Sequence, residues 1–142
     1  MLIDVAFNAI TRQIIGAAIE VHRTLGPGLL ESIYAPCLRF ELAQRNLRFV
    51  SERTIPIAYK GTTLGTTYRI DLIVEDVIVV EVKSVASLLS VHEAQVLTYM
   101  RLSGCPAGLL INFNVPKLVN GTKRLIRPAH AGDAGPFGPA HG

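Results

Sequence analysis

A chain of 142 residues is long enough for one domain with a substantial core and too short for two of ordinary size. It is 49% hydrophobic, with a mean hydropathy of +0.37, yet no apolar run approaches the roughly 20 residues needed to span a bilayer. The formal charge of +3 permits a polyanionic partner without requiring one.

The first helix is predicted over Asp4 to Arg23. Phe7, Ile10, Ile14, Ala17, Ala18 and Val21 recur at helical spacing, Asp4 can cap the start, and Leu25-Gly26-Pro27-Gly28 stops it. Ile15 and Ile19 are also large, so one buried stripe does not account for this helix. A homodimer that uses part of it, or a sheet edge, is expected. His22 is expected to be a hydrogen-bonding structural residue. No basic region precedes an apolar stretch at the start, so no signal peptide is expected. Cys37 and Cys105 lack metal-ligand spacing and suit free thiols in a reducing, cytoplasmic compartment.

Leu29 to Asn46 predicts the second helix, with Leu30, Ile33, Tyr34, Cys37, Leu38, Glu41 and Leu42 inward and Pro36 near the first turn, where proline is tolerated. Glu31 lies in that first turn, where an acid suits the helix dipole. Tyr34 follows one turn later, as core or as a hydrogen-bond support for Glu31. A strand is predicted from Arg48 to Lys60, placed at an edge or a bulge by Pro56, which has no backbone donor. Two further strands, Thr66 to Val74 and Val77 to Ser84, are rich in β-branched residues and flank Glu75-Asp76 as a hairpin.

Three charges interrupt that hairpin: Asp71, Glu81 and Lys83. A two-residue turn would pair Asp71 with Val80 and send Glu81 to the opposite face. A three-residue turn, Glu75-Asp76-Val77, pairs Asp71 with Glu81. It puts Asp71, Ile73, Val79, Glu81 and Lys83 on one face and Ile70, Leu72, Val74, Ile78, Val80 and Val82 on the other. The second register separates polar from apolar cleanly and is adopted. Two facing carboxylates repel unless a cation lies between them, and oxygen ligands alone suit Mg²⁺ or Mn²⁺. Lys83 beside such an ion could orient a water or neutralise charge on a phosphate.

The third helix is predicted to start near Val91, behind a capping box of Ser90 and Glu93. Gln95 and Tyr99 share one of its faces. After Gly104-Cys105-Pro106, Ala107 to Asn114 predicts a last apolar strand, parallel to the third by a right-handed crossover. Lys117, Lys123, Arg124 and Arg127 read as a solvated basic rim. Residues 128–142, rich in Gly, Pro and Ala, read as a disordered tail.

The pattern Asp71…Glu81-Val82-Lys83 resembles the PD-(D/E)XK nuclease superfamily, with Ile70 in place of the usual proline before the Asp. Gln95-Val-Leu-Thr-Tyr99 resembles the Gln-x-x-x-Tyr signature of its RecB-like branches. Gly28-Leu-Leu-Glu31-Ser-Ile-Tyr34, with the wider stretch Ile15 to Glu31 and with Leu110 to Asn114, resembles the GxxExxY family of the same superfamily. The resemblance runs from about Phe7 to Arg127. It implies an α/β, restriction-endonuclease-like core over residues 1–127, with a mixed sheet of about four strands flanked by three helices. It implies Mg²⁺ or Mn²⁺ held by Asp71, Glu81, the Val82 carbonyl and Glu31, with Lys83 completing the catalytic set. Gln95, Tyr99 and Arg69 would contact nucleic acid, with DNA as the expected form. No membrane association is implied. Two other readings keep the same fold: a non-catalytic homodimeric interaction protein, and a hydrolase of some other phosphate ester.

Overall fold

The computed structural model describes residues 2–127, with side chains from residue 7 onward; the tail expected to be disordered lies outside the described residues. The elements run α1 (Leu2–Leu25), α2 (Glu31–Gln44), β1 (Phe49–Tyr59), β2 (Thr62–Val74), β3 (Ile78–Lys83), α3 (Ser90–Ser103), β4 (Ala107–Asn112) and β5 (Thr122–Ile126). The strands form one sheet in that order. β3 and β4 are parallel, as the crossover through α3 predicts, and the other pairs are antiparallel. This is a restriction-endonuclease-like α/β fold.

One strand escaped the sequence reading. Thr122 to Ile126 pairs with β4 from Ile111↔Thr122 to Ala107↔Ile126. Lys123 and Arg124 therefore belong to an edge strand, not to a rim outside the sheet. An edge strand held by main-chain bonds needs little apolar patterning of its own; Leu125 alone packs against a core cluster.

Two helix starts also differ. α1 has already begun at Leu2, so Asp4 is not its cap. α3 begins at Ser90, and the Leu89 N–H donates to Nδ1 of His92 at 2.9 Å. An imidazole nitrogen three residues into the helix takes the orphan donor that a glutamate would otherwise take. Glu93 is left to pair with Lys123 at 3.4 Å.

The sheet is covered on both faces. α1 and α2 pack on Leu72, Val74, Ile78, Val80, Val82, Leu109 and Ile111. Tyr34 stacks there on Phe113, with ring centroids 4.5 Å apart. α3 covers Ile73, Val79 and Leu110 with Val96 and Met100. It comes in close because β4 has no side chain at Gly108: a Cβ there would lie 2.7 Å from Val96 Cγ1 and 2.8 Å from Met100 Sδ. Pro56 lies on β1, an edge strand, beside a register shift between Pro56 and Ala58. Ile70 departs from the expected alternation and joins the α3 cluster. The departure coincides with a break at Asp71: no ladder partner pairs with it on either side, and Glu52, its nominal neighbour on β1, has φ +55°.

The β2–β3 turn takes the three-residue form. The Val77 N–H donates to the Val74 carbonyl at 3.1 Å, and Glu75 and Asp76 have φ of +52° and +60°. Leu72↔Val80, Ile73↔Val79 and Val74↔Ile78 fix the register. One further step places Asp71 opposite Glu81.

Candidate active site

The ladder between β2 and β3 stops at Leu72↔Val80 because a side chain replaces it. Oδ2 of Asp71 accepts the Val82 N–H at 2.9 Å. This bond fixes the Asp71 carboxylate against β3, beside Glu81. Glu81 is 4% exposed, and its Oε1 is buried with no hydrogen-bond partner among the described residues. Its Oε2 lies 3.7 Å from Lys83 Nζ, on the same face two residues on. Burial first, and then the neighbouring Asp71 charge, push the Glu81 carboxyl up to about 8, against the opposing pull of Lys83. Burial likewise raises Asp71, opposed by the Val82 N–H and by Lys83.

Lys83 is held from α3. Its Nζ donates to Oε1 of Gln95 at 2.9 Å, and Nε2 of Gln95 donates to the Tyr99 hydroxyl at 3.2 Å. The Arg69 backbone N–H also serves the Tyr99 oxygen, and burial raises the phenol above its ordinary range. Tyr68 packs edge-on to the Tyr99 ring at 6.3 Å. Asp71, Glu81, Lys83, Gln95 and Tyr99 thus form one connected group across β2, β3 and α3.

The other expected site residues stand at its margin. Glu31 is the first residue of α2 and is exposed. Its Oε2 lies 3.4 Å from the Ser84 N–H, and its charge raises both Asp71 and Glu81. Among the described residues no three His, Cys, Asp or Glu side chains converge as a ligand group. Arg69 is exposed and bonds Oε1 of Glu52 at 2.7 Å, while its charge still lowers Asp71 slightly. Val82 gives its N–H to Asp71 and its side chain to the core.

Three supporting roles, those of Ser84, Asn112 and Asn114, went unread in the sequence, and of the two expected for Tyr34 the core one holds, since it is fully buried. Tyr34 does not hold Glu31. Its hydroxyl donates to the Gly26 carbonyl at 2.5 Å and accepts the Leu29 N–H at 3.1 Å, which fastens the corner that leads into α2. Gly28 in that corner has φ +94°, a conformation open to glycine. Ser84 joins the same corner to β3 by donating from Oγ to the Leu29 carbonyl at 2.5 Å. Asn112, 1% exposed, accepts the Val85 N–H and donates to the Val85 carbonyl, both at 3.0 Å. Asn114 adds a bond to that carbonyl at 3.2 Å. The signal was there: two amides in the apolar run Leu110-Ile-Asn-Phe-Asn need partners once buried. His22 is structural, as expected, with Nε2 donating to the Val115 carbonyl at 2.7 Å.

No curated protein and no solved structure matches this chain. A family model described as the PD-(D/E)XK nuclease superfamily matches residues 8–125, which span all of β1 to β4 and the paired carboxylates, the lysine and the glutamine described above. With that match over most of its length, the chain belongs to the PD-(D/E)XK nuclease superfamily.

Proposed function

We propose that this chain hydrolyses phosphodiester bonds in nucleic acid, DNA being the expected form, with Mg²⁺ or Mn²⁺ as cofactor. The observation that carries the reading is Glu81 Oε1, a carboxylate oxygen buried without a partner and one strand away from a second carboxylate. A buried carboxylate left unpaired is costly, and a divalent ion that prefers oxygen ligands removes the cost. Superfamily members generally use such ions. The donor set fits them: Asp71 and Glu81 would hold the ion, with the Val82 carbonyl and Glu31 as further oxygen donors. When bound, the ion supplies positive charge at the scissile phosphate and lowers the pKa of a coordinated water.

Lys83 brings a fixed positive charge to the same face, where negative charge develops on the phosphate, and its ammonium can direct the attacking water. Gln95 and Tyr99 fix the direction of that ammonium and offer polar contacts to the substrate backbone. Arg69 reaches phosphates from the rim without reading sequence. The finer assignment to the GxxExxY family rests on the work done by Gly28, Glu31 and Tyr34: a positive-φ corner, an acid at the helix start, and a phenol that ties the corner down.

A homodimer is part of this reading. Ile19, Leu25 and Phe40 are exposed on α1 and α2, and Leu25 and Phe40 line a cleft with Val21, Thr24 and Cys37. Free cysteines suit a cytoplasmic setting, and among the described residues no helix is long and apolar enough to cross a membrane. The test of function is Mn²⁺-dependent cleavage of DNA by the wild type and by Lys83→Ala, beside Mn²⁺ titration by calorimetry. Cleavage lost in the variant is expected. A wild type that neither binds Mn²⁺ nor cleaves belongs to the non-catalytic interaction protein instead.

A further inference from the structure

We infer that the outer half of the β1–β2 hairpin is an arm that lies along duplex nucleic acid and leads it to the site; this rests on the nuclease reading. β3 pairs with β2 only over Leu72 to Val74. From Thr54↔Arg69 to Tyr59↔Thr62 the two strands have, among the described residues, only each other as sheet partners. At about 3.4 Å per residue this is a two-stranded ribbon roughly 20 Å long. It closes on Lys60-Gly61, with φ of +51° and +79°, the tight hairpin turn whose twist matches the strands.

Its composition is one-sided. Residues 53–69 contain Arg53, Lys60 and Arg69 and no carboxylate. Glu52 engages Arg69, and among the described residues no carboxylate pairs with Arg53 or Lys60. Five threonines, Thr54, Thr62, Thr63, Thr66 and Thr67, are exposed along it. Hydroxyls and isolated cations are the groups that contact phosphate and sugar without reading bases. Within the ribbon Tyr59 is the one freely exposed aromatic, and Lys60 Nζ lies 5.5 Å from its ring centroid. A single strand would need a series of stacking rings, whereas a two-stranded ribbon fits a duplex major groove.

The root of the ribbon is built into the site. The Arg69 N–H serves the Tyr99 hydroxyl, the Tyr68 ring meets the Tyr99 ring, and Asp71 follows two residues later. A duplex held along the ribbon therefore has its backbone beside Asp71 and Glu81. The edge of β1 is poorly suited to pairing with a second copy. Pro56 lacks a donor, the register shifts beside it, and Glu52 has φ +55°.

The test is binding of a 20-base-pair duplex by the full chain in Ca²⁺, read by fluorescence anisotropy over a salt series, for wild type and Arg53→Ala/Lys60→Ala. Hydrolysis of bis(p-nitrophenyl) phosphate with Mn²⁺ runs alongside, because that small diester needs no arm. Affinity should fall about tenfold and the salt dependence should flatten by roughly one unit per removed cation, with small-diester turnover unchanged. The arm is overturned if the variant binds duplex as tightly as wild type, or if wild type binds no duplex. Loss of small-diester turnover in wild type as well would remove the nuclease reading with it. A wild-type dimer that becomes monomeric in the variant would assign the ribbon to contact between copies.

Discussion

The two faces of β2 and β3 are built on opposite terms. Leu72, Val74, Ile78, Val80 and Val82 pack under α1 and α2 with no polar group among them. The α3 face of the same strands carries Asp71, Glu81 and Lys83, with one carboxylate oxygen buried and unpartnered. Side chains one residue apart share a backbone and differ only in direction. One face is therefore arranged for stability, and the other keeps charges that the fold would be more stable without. A site of this kind gives up stability for a function that the apolar face underwrites.

The sharpest way to break that contrast is to remove charge from the polar face and measure cleavage. Glu81→Gln, Asp71→Asn and Lys83→Ala should each lower Mn²⁺-dependent hydrolysis about 10³-fold, roughly 4 kcal/mol of transition-state stabilisation, in single-turnover assays. Equal rates in variant and wild type would put the chemistry elsewhere. On the apolar face, Leu72→Ala should cost about 3 kcal/mol in urea unfolding, because a fully buried side chain leaves a cavity between sheet and helices. A cost under about 1 kcal/mol there would mean the face is loosely packed.

The third expectation has the opposite sign. The Glu81 carboxyl lies near 8 in the fold against 4.5 for an ordinary glutamate. The folded chain therefore binds this proton more readily than the unfolded chain. The stability linked to Glu81 is fully present below about 4.5 and is lost as pH rises through about 8. Without metal, the melting temperature of the wild type should fall between those limits. Glu81→Gln should flatten that slope and, at pH 8, be more stable by roughly 2 kcal/mol, since the buried amide still lacks partners. Millimolar Mn²⁺ should raise the wild-type melting temperature at neutral pH and do little at pH 4 to 5, where free carboxylates take up protons. A metal response that persists in Asp71→Asn would remove the paired-carboxylate site. The smallest effect belongs to Tyr99→Phe, which removes the hydroxyl that Gln95 Nε2 donates to. Hydrolysis should slow about fivefold, near 1 kcal/mol, beyond any loss of substrate affinity. An effect confined to affinity would leave Tyr99 as a substrate contact and remove its positioning role.

Much of this contrast was legible from local pattern. Period-two alternation and the length of the Glu75-Asp76-Val77 turn were enough to set the β2–β3 register, with Leu72 opposite Val80 and Ile73 opposite Val79, and helical spacing put Gln95 and Tyr99 on one face. What stayed hidden depends on contacts far along the chain. Asn112 closes on Val85 and Ser84 on Leu29, 27 and 55 residues away, and no window of sequence contains both ends. β5 was missed because its one inward apolar residue, Leu125, sits among Lys123, Arg124 and Arg127. Ile70 was assigned to the wrong face because strict alternation fails where Asp71 leaves the ladder.

Gly108 is on β4 and carries none of the site's charges, yet it sets a clearance. Val96 and Met100 rest on its bare Cα, and Gln95 and Tyr99 are the residues next to them in α3. The 2.9 Å between Lys83 and Gln95 is therefore gauged by the thickness of one missing methyl group. A methyl at that position would act as a shim. It would lift α3 off the sheet and open the contact between Lys83 and Gln95, detuning the site without altering any residue that takes part in it.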